Sequence, residues 1–233
     1  MKRIAFTLAE VLITLGIIGI VAAMTLPSLI GYFKKTEIET RLERFYSVAN
    51  NALVASQAEN ESWDYWYFNS SIDPKETAKW YNTYLKKYWK TVKNEELTSG
   101  YIVAYFPDGS LVIIKSGVDY FYYPDGKKYT FDNFSKRKNM GKDIFPFSFY
   151  PQRKQSSLNY KKGIQPYISN KTKKDENGNI VDIQDYNYTI DELYSDPRRG
   201  CRNEPNSTTV GAYCTQVIFQ NGWKIPKNYP YKF

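Results

Sequence analysis

From Val11 to Phe33 the chain runs 23 residues without a charged side chain. About 20 apolar residues carry a helix across the hydrocarbon core of a bilayer, so this run sets the plan of the molecule before anything else is read. Lys2 and Arg3 precede it, which favours a cytoplasmic start with the remainder facing outward, and Lys34 and Lys35 follow it. One acid, Glu10, stands inside its beginning. A charge deep in a bilayer costs about 2.5–3.5 kcal/mol on insertion scales, so it calls for a partner. The acid also argues against an ordinary cleaved signal sequence, whose core is uncharged, although Ala22-Ala23-Met24 imitates a cleavage site.

The residues around that acid follow a specific order. Phe6-Thr7-Leu8-Ala9-Glu10-Val11-Leu12 comes first, then Gly16-Ile17-Ile18-Gly19-Ile20-Val21-Ala22-Ala23, then Leu26-Pro27. Over about the first 30 residues the chain resembles the type IV pilins and the pseudopilins of type II secretion. The resemblance implies a leader of residues 1–5, removed by a prepilin peptidase between Ala5 and Phe6 with methylation of the new Phe6 amine. Ala5 stands where the family usually has Gly. It also implies an inner-membrane subunit with its head outside the cytoplasm. Such a subunit is later built into a pilus or pseudopilus, at the cell surface or in the periplasm, by a dedicated assembly machinery. Its partners would be other pilin subunits. The freed Phe6 amine of one copy could then be neutralised by Glu10 of a neighbour, through charge-assisted hydrogen bonds. Removing either partner would leave an uncompensated charge. Pro27 lacks an N–H and would kink the rod, and Gly16, Gly19 and Gly31 weaken it further.

Beyond Phe33 the pattern becomes amphipathic. Ile38, Leu42, Phe45, Ala49, Ala52 and Leu53 recur at helical spacing with charges between them, and no strong breaker intervenes before Glu59. The expectation is one helix over residues 6–58, roughly 80 Å long at 1.5 Å per residue. Residues 6–33 would be its transmembrane or filament-core part, and residues 59–233 a globular head.

In the head, Asp73-Pro74-Lys75-Glu76 reads as a helix start, followed by an aromatic stripe from Trp80 to Trp89. Residues 101–106 and 110–115 flank Pro107-Asp108-Gly109, and residues 118–123 and 127–131 flank Pro124-Asp125-Gly126. These predict two hairpins and a four-stranded meander laid on the long helix. The run 144–150 is strand-like, but Pro146 points to an edge position. Residues 152–199 are polar, with Asn177-Gly178 as a turn, and residues 214–219 read as a strand ahead of the turn Asn221-Gly222-Trp223. The fold class is therefore α+β, a long N-terminal helix packed on an antiparallel head sheet. Cys201 and Cys214 enclose 12 residues, and in an exported domain they are expected to form a disulfide. The family layout adds that such a loop often borders an exposed binding surface.

The chain has no histidine, which removes Ser-His-Asp and Cys-His catalysis. No phosphate-binding loop or nucleophile motif occurs, and no enzyme, cofactor or metal is expected. Asp175, Asn177, Asn179 and Asp182 offer oxygen ligands, but Gly178 does not sit where a calcium loop needs it, so a bare turn is read there. Formal net charge is +8, with 22 tyrosines. A basic, aromatic surface makes DNA or anionic lipid candidate partners without identifying one. Two other readings remain open: a minor pilin whose head binds DNA or a surface, and an uncut, membrane-anchored exported domain.

Overall fold

The computed structural model describes residues 7–67, 73–150, 162–183 and 185–233. Helix α1 spans Leu8–Asn60 without interruption, through Pro27. Its two halves follow from their residues. Between Leu8 and Ile30 the large apolar side chains project outward, exposed among the described residues; Leu8 is 78% exposed and Met24 75%. From Glu39 on, one stripe (Leu42, Phe45, Ala49, Ala52, Leu53, Ser56) is buried at intervals of three and four.

Helix α2, Pro74–Tyr84, starts where Asp73 caps it: the Asp73 side chain accepts from Lys75 N at 2.8 Å, and Pro74 opens the first turn. It ends sooner than the aromatic stripe predicts. Lys86 N bonds Tyr81 O at 2.9 Å and Trp89 N bonds Leu85 O at 3.0 Å. The chain thus keeps turning after the helix stops, and Leu85 and Trp89 still reach the core. Trp66 stacks on Tyr84 with centroids 4.3 Å apart, closing the far end of α1 against α2.

Among the described residues six strands form one antiparallel sheet in sequence order: β1 Lys93–Glu96, β2 Tyr101–Tyr105, β3 Leu111–Lys115, β4 Asp119–Tyr123, β5 Phe145–Ser148 and β6 Gln165–Pro166. Strands β2 to β4 are the expected meander, turned by Pro107-Asp108-Gly109 and Ser116-Gly117. One sheet face carries Ile102, Ala104, Val112, Ile114, Tyr120, Tyr122, Phe145 and Phe147 against α1, α2 and the C-terminal segment. The opposite face carries Val103, Leu111, Ile113 and Tyr123 against Phe134. Burial on both faces explains why β3 reads as an unbroken apolar run.

Three expectations are corrected. Residues 127–131 are not a strand: Asp125 caps a 3₁₀ turn over Gly126–Lys128, and Thr130 then caps helix α3, Phe131–Ser135, accepting from Asn133 N at 3.1 Å. Two consecutive side-chain caps outbid strand pairing there. Pro146 lies in β5, next to the edge rather than on it, since Phe147 and Ser148 pair with β6. Residues 214–219 form helix α5, Cys214–Gln220, not a strand. Asn221-Gly222 is its stop signal. Gly222 takes φ 65°, and Trp223 N returns to Ile218 O at 2.9 Å.

The polar stretch holds a separate hairpin, β7 Lys171–Lys174 with β8 Ile180–Ile183, turned at Asn177-Gly178. Helix α4, Ile190–Ser195, follows, with a Thr189–Glu192 capping box.

Candidate assembly and membrane site

The cut expected between Ala5 and Phe6 lies outside the described residues. Glu10 lies within them. Thr7 caps α1 and Glu10 is its third helical residue: Glu10 N donates to Thr7 Oγ1 at 3.2 Å. Glu10 Oε2 in turn accepts from Thr7 N at 2.8 Å and from Thr7 Oγ1 at 2.9 Å. This is a capping box, legible in Thr7-Leu8-Ala9-Glu10 but absent from the sequence reading. Further along, Pro27 has no N–H to give the Ala23 carbonyl, and its neighbours are tied locally. Thr25 Oγ1 donates to Val21 O at 3.0 Å and Ser28 Oγ to Thr25 O at 3.2 Å.

Where the rod meets the head, α1 is clasped by three anchors that sequence reasoning left on a solvated face. Glu39, 6% exposed, accepts from Ile225 N at 2.9 Å and from Lys224 Nζ at 3.2 Å, fixing the last residues of the chain to the helix. Arg41 pairs with Glu37 at 2.8 Å and donates to the Pro124 carbonyl. Arg44 reaches Asp108 at 3.3 Å. Burial pushes the Asp108 carboxyl up, yet the Ser110 hydroxyl and amide, with Arg41 and Arg44 nearby, hold it below its ordinary value. The turns at Asp108 and Asp125 are docked on each other, since Gly126 N donates to Gly109 O at 2.9 Å and a side chain at Gly126 would meet that oxygen at 2.6 Å.

The final residues complete this foot. A side chain at Gly31 would lie 2.8 Å from the backbone oxygen of Phe233, so the foot touches the last turns of the apolar run. Tyr229 and Tyr231 donate to the Gly141 and Met140 carbonyls. A cleft of about 560 Å³ opens here, lined by Lys34, Lys127, Lys128, Lys142, Lys232 and Phe233 among others.

Cys201 and Cys214 are joined, and both are buried. The bond ties the first residue of α5 to the loop after α4. Gly141 lies so close that a side chain there would meet Cys214 Sγ at 2.6 Å. A further anchor is not marked in the sequence: Asp196, 4% exposed, accepts from Thr172 N at 3.0 Å, Thr172 Oγ1 at 2.8 Å and Arg199 N at 2.8 Å. It holds the β7–β8 hairpin to the disulfide loop. The four oxygen donors considered for calcium are not brought together as a set. Asp175 accepts from Asn177 N and Asn179 N at 2.9 and 2.8 Å, closing its own turn, while Asp182 pairs with Arg198 at 2.9 Å.

A family model described as a family of unknown function (DUF6613) matches residues 28–233. The chain belongs to DUF6613. No curated protein and no solved structure matches it. The DUF6613 match begins at Ser28, near the end of the apolar run, and takes in the head-bearing half of α1, the sheet, the foot and the disulfide. The rod before Ser28 lies outside that match, and it is the part that carries Glu10 and Pro27.

Proposed function

We propose that this chain is a type IV pilin-like or pseudopilin-like subunit, in which α1 is both membrane anchor and assembly element and the sheet domain is the surface-facing head of a pilin fold. The observation that carries the reading is the division of α1. Its first half is apolar and outward-facing, with one acid in the first turn, while its second half is clamped to the head. A bare apolar rod needs lipid or other rods around it. In a filament, neighbouring subunits supply them; before assembly, the inner membrane does. The disulfide suits a head exported from the cytoplasm. Partners on this reading are a prepilin peptidase, other pilin subunits and the assembly machinery, and the function is structural rather than catalytic.

The test is mass spectrometry and N-terminal sequencing of protein recovered from membranes. A mature chain starting at a methylated Phe6 is the expected result. A chain still starting at Met1, or starting downstream of Ala23, refutes processing and with it the filament reading.

The Thr7–Glu10 capping box favours one competing reading. A helix that satisfies its own first turn needs no second copy to hold Glu10, so an uncut, membrane-anchored exported domain is the alternative. The same measurement separates the two.

A further inference from the structure

We infer that the lysine-lined cleft at the foot of the head is a binding surface for the phosphate headgroups of anionic phospholipid. The inference rests on the reading of α1 as a membrane span and adds a partner to it.

The position of the cleft is the first argument. Lys34 directly follows Phe33, the last residue of the uncharged run, and Arg41 stands about 10 Å further along the helix axis at 1.5 Å per residue. Each headgroup layer extends roughly 5–7 Å beyond the hydrocarbon core, so the Lys34 end of the cleft opens into that layer. Tyr32, 64% exposed, sits at the same level, as amphipathic rings do at a membrane boundary. The contact between Gly31 and the Phe233 oxygen keeps the foot against this part of α1.

Charge is the second argument. Of the four acids lining the cleft, Glu37 pairs with Arg41 and Asp108 with Arg44, while Asp125 and Asp143 accept only from amides, Lys127 N and Asn139, and keep their charge against a larger number of lysines. Lys34, Lys127, Lys128, Lys142 and Lys232 make no ion pair among the described residues. Five uncommitted ammonium groups drawn from α1, the 3₁₀ turn after β4, the loop before β5 and the final residues thus converge on one cleft. Such a cluster beside a membrane span attracts anionic headgroups, by roughly fivefold in affinity per lysine near the surface.

The test uses the full chain in nanodiscs of phosphatidylcholine alone or with about a third phosphatidylglycerol, a mixture chosen so that anionic lipid is abundant at the surface. Acetylation rates of individual lysines are read by mass spectrometry. Lys34, Lys127, Lys128, Lys142 and Lys232 should react severalfold more slowly in the anionic discs, while Lys79 and Lys86, which do not line the cleft, keep their rates. K127E/K128E, checked for an unchanged near-ultraviolet spectrum, should still enter discs but lose the difference at the other three. Equal rates in the two lipids, or an undiminished difference in K127E/K128E, overturn the inference. So does the same slowing in phosphatidylcholine discs on adding inorganic phosphate, which would make it a site for free phosphate. A chain that stays outside the discs refutes the membrane span and this surface together; equal rates in loaded discs refute the surface alone.

Discussion

Substituting Glu39 isolates the joint between rod and head. Its carboxylate is 6% exposed and accepts one backbone bond, from Ile225 N at 2.9 Å, and one ammonium, Lys224 at 3.2 Å. The two contacts are unequal. The Lys224 side chain is 64% exposed, and ion pairs with one exposed partner contribute about 0–1 kcal/mol. Ile225 is 4% exposed, so Glu39→Ala leaves its amide without an acceptor or access to water. Losing a bond to a charged group and stranding a buried donor costs about 2–3 kcal/mol. Glu39→Gln keeps an acceptor oxygen but not the charge and should cost about half as much. Lys224→Ala should cost under about 0.5 kcal/mol, as surface pairs do. Urea unfolding of the full chain in detergent micelles, followed by tryptophan fluorescence with the disulfide intact, ranks the three. Hydrogen exchange at the Ile225 amide locates the loss. If Glu39→Ala costs no more than Lys224→Ala, and the Ile225 amide stays protected, the clasp is not what holds the final residues to α1.

Two further tests follow from the same packing. Reducing Cys201–Cys214 should cost about 3 kcal/mol by loop-closure entropy, read as a drop in the urea midpoint that Cys214→Ser reproduces. Asp108 carries a pH dependence: its folded carboxyl is held below the ordinary value of 3.8, so its contribution is complete above about pH 4 and fades as pH falls through the folded value. Acid unfolding of Asp108→Asn should accordingly fall less steeply below pH 4 than that of the parent chain, and parallel curves would refute the assignment.

How much of this was legible depended on whether a segment's local signals agreed with its partners. The uncharged run and the stripe from Ile38 to Leu53 gave α1 to within two residues at each end, because length and period reinforce each other there. The β2–β4 meander was equally plain. Where one signal served two structures, the reading failed. Asn221-Gly222 turns a hairpin or stops a helix, and the β-branched residues before it tipped the choice toward a strand; the tertiary context, with Cys214, Val217 and Ile218 all turned into the core, made α5 a helix. Lys127 to Phe131 reads as a strand because it follows Pro124-Asp125-Gly126, a hairpin turn, but in the fold Asp125 caps a 3₁₀ turn and Thr130 caps α3. Glu39 and Asp196 were illegible for another reason. A buried acid is marked only by partners far away in sequence, here Ile225 and Thr172.

Glu10 is the residue at which local and collective roles meet, and the two are not exclusive. Both bonds that the Glu10 carboxylate accepts end on Oε2, from Thr7 N at 2.8 Å and Thr7 Oγ1 at 2.9 Å. Oε1 accepts no bond among the described residues, so the cap leaves one carboxylate oxygen and most of the charge for an amine from another copy. A glutamine separates the roles. Glu10→Gln keeps an oxygen for Thr7, since Gln also closes a capping box, but turns an NH₂ toward any incoming amine. Glu10→Ala loses both, at about 1 kcal/mol for the cap. On the filament reading both variants enter the membrane and neither is incorporated, measured as the share of tagged subunit recovered in sheared filaments. Incorporation of Glu10→Gln at the parental level, with Glu10→Ala excluded, would leave capping as the whole role of the residue and remove the charge pairing from the argument.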